Sequence, residues 1–195
     1  QPARGTVYDY KGRVVAETIA LQTILSLAEK HGARVHLCRL SSAEAVALVK
    51  QAKARGVAVT CDVAVHHLHL SEVDIGYFDS HCHLIPPLRS VRDRDALRSA
   101  AQDGTIDVIC SDHTPVDDDA KQVPFAEAEP GASALELLLP LTLKWAAEAR
   151  VPLPQALEGP GRQEVARELG RTLARLHASG FVHGDLYANH VMVET

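Results

Sequence analysis

Residues 33–63, ARVHLCRLSSAEAVALVKQAKARGVAVTCDV, read as one strand, one helix and a second strand. ARVHLCRL (33–40) and VAVTCDV (57–63) are rich in the branched residues that fit a pleated, half-buried surface. Between them, Ser41-x-x-Glu44 predicts a capping box that opens a helix; the helix carries Val46, Leu48, Val49 and Ala52 and stops at Gly56. Strand, helix and strand at these lengths imply a parallel βαβ unit.

The alternation continues on both sides. Upstream, residues 16–30 predict a helix, with Ile19, Ile24, Leu25 and Ala28 close to one stripe and Gly32 as its C-terminal stop. Downstream, a polar connection holding several histidines leads to a helix over 93–102, a strand over TIDVICS (105–111) and a helix over 133–149 that is expected to bend at Pro140. In parallel βα units functional groups collect where strands end, which places Arg39, Val65, His66 and Asp112 on one rim.

Composition excludes several classes of function. At 195 residues, 46% hydrophobic and 23% charged, the chain reads as a soluble globular protein with no apolar run of bilayer length. A formal net charge of -5 supplies no basic face for nucleic acid, so neither a membrane nor a nucleic-acid partner is expected. The first residues lack the order of a secretion signal, and Cys38, Cys61, Cys82 and Cys110 show no CxxC spacing. A reducing cytoplasm is the expected setting.

Five ordered blocks carry a family resemblance: HLCRLSSAEAV (36–46), VTCDVAVHHLHL (59–70), PPLRSVRDRDAL (86–97), DGTIDVICSDHTP (103–115) and PFAEAEPGASALELLLPL (124–141). Residues 14–157 resemble the C-terminal half of a dihydroorotase, in particular the dihydroorotase-like subunits of bacterial pyrimidine synthesis; residues 1–13 stay unassigned. The resemblance implies an α/β fold of the amidohydrolase type, here a partial (β/α)8 TIM-type barrel of three or so βα units, since a whole barrel takes about 250 residues. It also implies zinc chemistry on a cyclic amide and, for non-catalytic members, assembly with aspartate transcarbamoylase.

Departures from the family pattern bear on that chemistry. Arg39 stands where active members are implied to hold a zinc-binding histidine, and a guanidinium has no acceptor to offer a metal. Ile85 replaces a substrate-binding asparagine, and Val116 replaces the last histidine of an Asp-His-Ala-Pro-His run. The first-strand His-x-His pair belongs to a half of the family with no counterpart here. Asp112 alone is retained, as a vestigial catalytic and metal-ligating residue, and one carboxylate does not make a catalytic zinc site. No cofactor is therefore expected, with zinc reserved for the case of residual hydrolase activity. His66, His67 and His69 read as structural, His81-Cys82-His83 as a loop away from the rim, and Asp117, Asp118 and Asp119 as solvated carboxylates.

Residues 152–161 are rich in proline and glycine, as linkers are, and the resemblance switches there. Beyond them, Val165, Leu169, Leu173 and Leu176 mark a helix, Gly180 its stop, and FVHGD (181–185) a short strand into a tight loop. His183-x-Asp185 with His190 five residues on resembles the catalytic loop of lipopolysaccharide kinases of the heptose or Kdo type, although Gly184 departs from the usual arginine. Residues 158–195 thus read as a short α+β kinase-like fragment. The resemblance implies Asp185 as the catalytic residue, His190 as a metal-binding one and Mg-ATP as cofactor. No glycine-rich phosphate loop accompanies them. The leading expectation is a non-catalytic dihydroorotase-like protein. The alternatives are a phosphotransferase fragment or a residual zinc-dependent cyclic amidohydrolase. Three strands would leave unpaired edges, so a homo-oligomer is expected.

Overall fold

A computed structural model describes residues 10–152. The elements in chain order are α1 (Tyr10–His31), β1 (Val35–Leu37), α2 (Ala43–Ala54), β2 (Val59–Ala64), α3 (Val91–Gln102), β3 (Val108–Cys110) and α4 (Leu138–Glu148), with short 3-10 turns in the connections. The strands form one sheet in the order β1-β2-β3. Both pairings are parallel, in the registers Val35↔Val59 and Asp62↔Val108. This is the expected α/β pattern, a sector of a barrel.

Alternation along the strands sorts the side chains onto two faces. Leu37, Val59, Cys61 and Val63 enter a core shared with Leu21, Leu25 and Ala28 of α1, Val46, Val49 and Ala52 of α2, Leu97 and Ala100 of α3, and Trp145 and Ala146 of α4. On the other face His36 stands opposite Thr60, with Asp62 two residues further along β2 and Cys38 just past the end of β1. His36, Cys38, Thr60 and Val108 are exposed there. No helix among the described residues is long and apolar enough to cross a membrane.

Local chemistry explains where the elements begin and end, and corrects four expectations. The N-cap of α2 is Ser42, whose hydroxyl accepts from Ala45 N–H at 3.2 Å, so the Ser41/Glu44 capping box does not form. Ser41 instead builds a buried polar junction: its N–H and hydroxyl donate to Glu17 at 2.8 and 3.0 Å, and Arg89 Nε donates to its oxygen at 3.0 Å. In α1, Leu21, Leu25 and Ala28 face the core while Ile19 and Ile24 are exposed, which rotates the buried stripe from the expected one. Helix α4 starts at Leu138, not 133, so Pro140 lies in its first turn, where the missing N–H has no intrahelical partner to lose and no bend is required. Helix α3 begins two residues early because Ser90 and Asp93 form a reciprocal capping box. Asp93 also accepts from Ala43 N–H at 2.9 Å, tying the start of α2 to the start of α3. Gly32 and Gly56, with φ of 64° and 84°, terminate α1 and α2 as the sequence predicts.

Candidate functional site

The rim is shaped by two residues in the left-handed region, Arg39 after β1 (φ 59°) and Asp112 after β3 (φ 48°). Between them, Asp62 of β2 anchors the end of β1: its Oδ1 accepts from Arg39 N–H at 2.6 Å and its carbonyl accepts from Leu40 N–H at 3.0 Å. With its backbone so fixed, Arg39 sends Nη1 to Asp112 Oδ1 at 3.2 Å and to the Ile85 carbonyl at 3.4 Å. Of the four residues expected on one rim, Arg39 and Asp112 meet there.

Asp112 is buried, and burial raises its carboxyl above the usual carboxylate range, with Arg39 opposing the rise. A permanently charged guanidinium thus occupies the carboxylate that a metal would need. Zinc at this position would have to break the ion pair and sit beside a fixed positive charge, so the residues present do not fit the metal that the fold family implies.

The other expected rim residues lie deeper. Val65 and His66 are buried in the 3-10 turn Val65–Leu68 after β2. Burial pushes His66 down to about 3 and His67 down to about 4, so both rings are neutral at physiological pH. His67 Nε2 donates to the Pro87 carbonyl at 3.2 Å and His69 Nε2 to the Leu141 carbonyl at 2.9 Å, the structural roles expected of them. In the connection ahead of Pro86, His81 turns to Asp79 at 2.9 Å, while His83 Nδ1 donates to the Ala128 carbonyl at 2.7 Å. They serve separate partners. Among the described residues the three carboxylates at 117–119 gather no further ligands. Asp185 and His190 lie outside the described residues.

One cluster escaped the sequence reading. His36, Cys38 and Asp62 bring one ligand atom each to within 4.8 Å of one another on the exposed face of the sheet, the only such group among the described residues. His36 Nε2 lies 2.9 Å from Asp62 Oδ2, its Nδ1 lies 2.8 Å from Thr60 Oγ1, and Cys110 Sγ donates to Asp62 Oδ1 at 3.4 Å. The available signal was alternation: strands of a parallel sheet covered on both faces read as continuous apolar runs. Here His36, Cys38, Thr60 and Asp62 put polar groups at every second position.

Comparison with known proteins gives the family context. The chain is 46% identical over 142 residues to a dihydroorotase-like protein of Pseudomonas aeruginosa, covering 73% of this chain and 34% of that one. An L-hydantoinase (dihydropyrimidinase) from Arthrobacter aurescens superposes with a TM-score of 0.70 at 27% identity, covering 76% of this chain and 35% of that one. The inactive dihydroorotase-like domain of a CAD-like multifunctional protein from Chaetomium thermophilum superposes with a TM-score of 0.53 at 27% identity, covering 70% and 37%. The chain thus spans about a third of the length of these relatives. The lipopolysaccharide kinase (Kdo/WaaP) family matches residues 143–195, beginning inside α4. Over about three quarters of its length this chain is therefore dihydroorotase-like, a partial TIM-type barrel of the amidohydrolase kind, and its C-terminal stretch resembles a lipopolysaccharide kinase.

Proposed function

We propose that the chain is a non-catalytic dihydroorotase-like protein whose role is structural, in pyrimidine biosynthesis. The observation that carries this reading is the Arg39–Asp112 ion pair, which fills a strand-end position with a cation and turns the retained carboxylate into its partner. Similarity to a domain described as inactive supports it. With dihydroorotate or a hydantoin as substrate and zinc supplied, the purified protein is expected to show no turnover, and Arg39→His alone restores none, since one imidazole does not complete a site of three or four ligands. Zinc-dependent turnover abolished by Asp112→Asn would overturn the reading and favour a residual cyclic amidohydrolase.

The match at 143–195 supports a second reading, a phosphotransferase fragment with Asp185 and His190 in the catalytic loop. Phosphoryl transfer depends on groups that hold and neutralise the phosphates, and none is evident in the sequence. A rise in melting temperature with Mg-ATP that Asp185→Ala and His190→Ala together remove would establish this second reading.

A structural role requires a partner, and we propose aspartate transcarbamoylase, together with self-association, in the cytoplasm. The three-stranded sheet has two strand edges unpaired among the described residues, and Val108 and Leu139 are exposed. Apolar burial is worth about 25 cal/mol per Å². Light scattering coupled to size exclusion is expected to show a dimer or larger species; a monodisperse monomer with a cooperative melt counts against self-association. Four free cysteines fit a reducing compartment.

A further inference from the structure

We propose that His36, Cys38 and Asp62 form a binding site for a zinc-like divalent cation on the open face of the sheet, separate from the rim position that Arg39 has closed. The proposal does not depend on whether the chain turns over any amide.

Donor chemistry selects the ion. An imidazole, a thiolate and a carboxylate are the mixed nitrogen, sulfur and oxygen set that zinc accepts, and the sulfur disfavours magnesium and calcium. Charge balances as well: one thiolate, one carboxylate and a neutral histidine cancel the two positive charges of the ion. On binding, the Cys38 thiol releases its proton to solvent and its sulfur lone pair makes the bond to the metal. Three protein ligands leave a fourth position to water.

The geometry is part-built. Asp62, largely buried, is held by Arg39 N–H at 2.6 Å and is the fixed member. Its Oδ2 lies 2.9 Å from Nε2 of His36, whose side chain is substantially exposed. Buried carboxylates are paired or coordinate metals, so a largely buried Asp62 is a place where a cation is favoured. His36 lies on β1 and Cys38 just past its end, two residues on, and their ligand atoms come together on one face. Their exposure lets them turn, and separations of at most 4.8 Å need to close only to about 3.5 Å for tetrahedral bonds of 2.0–2.3 Å. Thr60, opposite His36 in register, completes the arrangement. Its hydroxyl donates to Nδ1 when Nε2–H faces Asp62. By rotating, it accepts from Nδ1–H instead, which frees the Nε2 lone pair for the metal.

The experiment uses the full chain, titrated with cobalt(II) under reducing conditions and then with zinc in competition. One equivalent of cobalt is expected to give a thiolate-to-cobalt charge-transfer band in the near ultraviolet, which zinc displaces. Cys38→Ser abolishes the band and His36→Gln weakens binding by at least about tenfold. Thr60→Val, a same-shape change at an exposed strand position, weakens it about tenfold through loss of the orienting bond. Asp112→Asn leaves the band unchanged. Melts without metal check that each variant is folded. Absence of a band on the folded full chain overturns the site, as does a band undiminished in Cys38→Ser. A band lost in Asp112→Asn but kept in Cys38→Ser moves the metal to the rim and overturns it equally.

Discussion

Trp145→Ala is expected to destabilise the protein by about 3–5 kcal/mol, a large part of the roughly 5–15 kcal/mol that holds a typical domain together. Trp145 is 2% exposed and sits in the same core as Leu97 of α3 and Val63 of β2. Truncation removes the largest apolar side chain of α4 from that core and leaves a void that the surrounding helices fill only in part. As the single tryptophan of the chain, it also makes intrinsic fluorescence a probe of this contact in the unmutated protein. Circular dichroism melts of Trp145→Ala, with the exposed Val73→Ala as a control expected within about 0.5 kcal/mol, give the measurement. The result also bears on the C-terminal boundary, because the kinase-family match begins at residue 143, inside this helix. If α4 belonged to an independent tail, Trp145→Ala would leave the main melt where it was; that outcome would sink the assignment of α4 to the barrel core.

Arg39→Met is expected to cost about 2 kcal/mol near pH 7. Stranding one partner of a fully buried pair costs about 3–5 kcal/mol, and the lower figure allows for solvent screening, since the Arg39 side chain is 41% exposed while Asp112 is 6% exposed. Methionine is chosen because an unbranched side chain tolerates the left-handed backbone better than valine or isoleucine would. The cost should depend on pH with a definite sign. Burial already raises the Asp112 carboxyl, and Arg39 opposes the rise, so removing Arg39 raises it further. A carboxyl raised in the folded state binds more protons there than in the unfolded chain; its penalty is absent below the unfolded value and grows as pH climbs through the folded one. Arg39→Met should therefore approach wild-type stability near the acid end of the carboxylate range and diverge from it toward neutrality. Asp112→Asn in the Arg39→Met background should recover most of the loss. A pH-independent deficit, or no recovery in the double variant, would show that Arg39 acts through packing rather than charge.

The architecture was legible because three strands of branched residues alternate with amphipathic helices, and that pattern admits few topologies. Gly32 and Gly56 announced their helix ends because only a left-handed residue closes the turn there. The details that escaped depend on neighbours distant in sequence. Ser41 and Ser42 are adjacent and alike, and what separates cap from junction is that Glu17 and Arg89 claim Ser41. Ile19 is as apolar as Leu21, and which of them is buried depends on the face α1 turns to the rest of the core. At the rim, Arg39 and Asp112 were readable as strand ends, but their pairing required the sheet order. The group formed by His36, Cys38 and Asp62 joins two strands in register, and no local motif announces it.

The sheet order β1-β2-β3 follows the chain, with each strand pairing beside its predecessor. Such an arrangement bears on the time course of folding. The first pairing closes across α2 alone, and the second adds a strand to an edge already formed, so no step must wait for a segment far ahead in the chain. Helix α4 is the exception, since His69 reaches Leu141 and Trp145 enters a core laid down by the earlier elements. On a ribosome, order would spread in the direction of synthesis, with Trp145 and Ala146 the last buried residues of this core to arrive among those described.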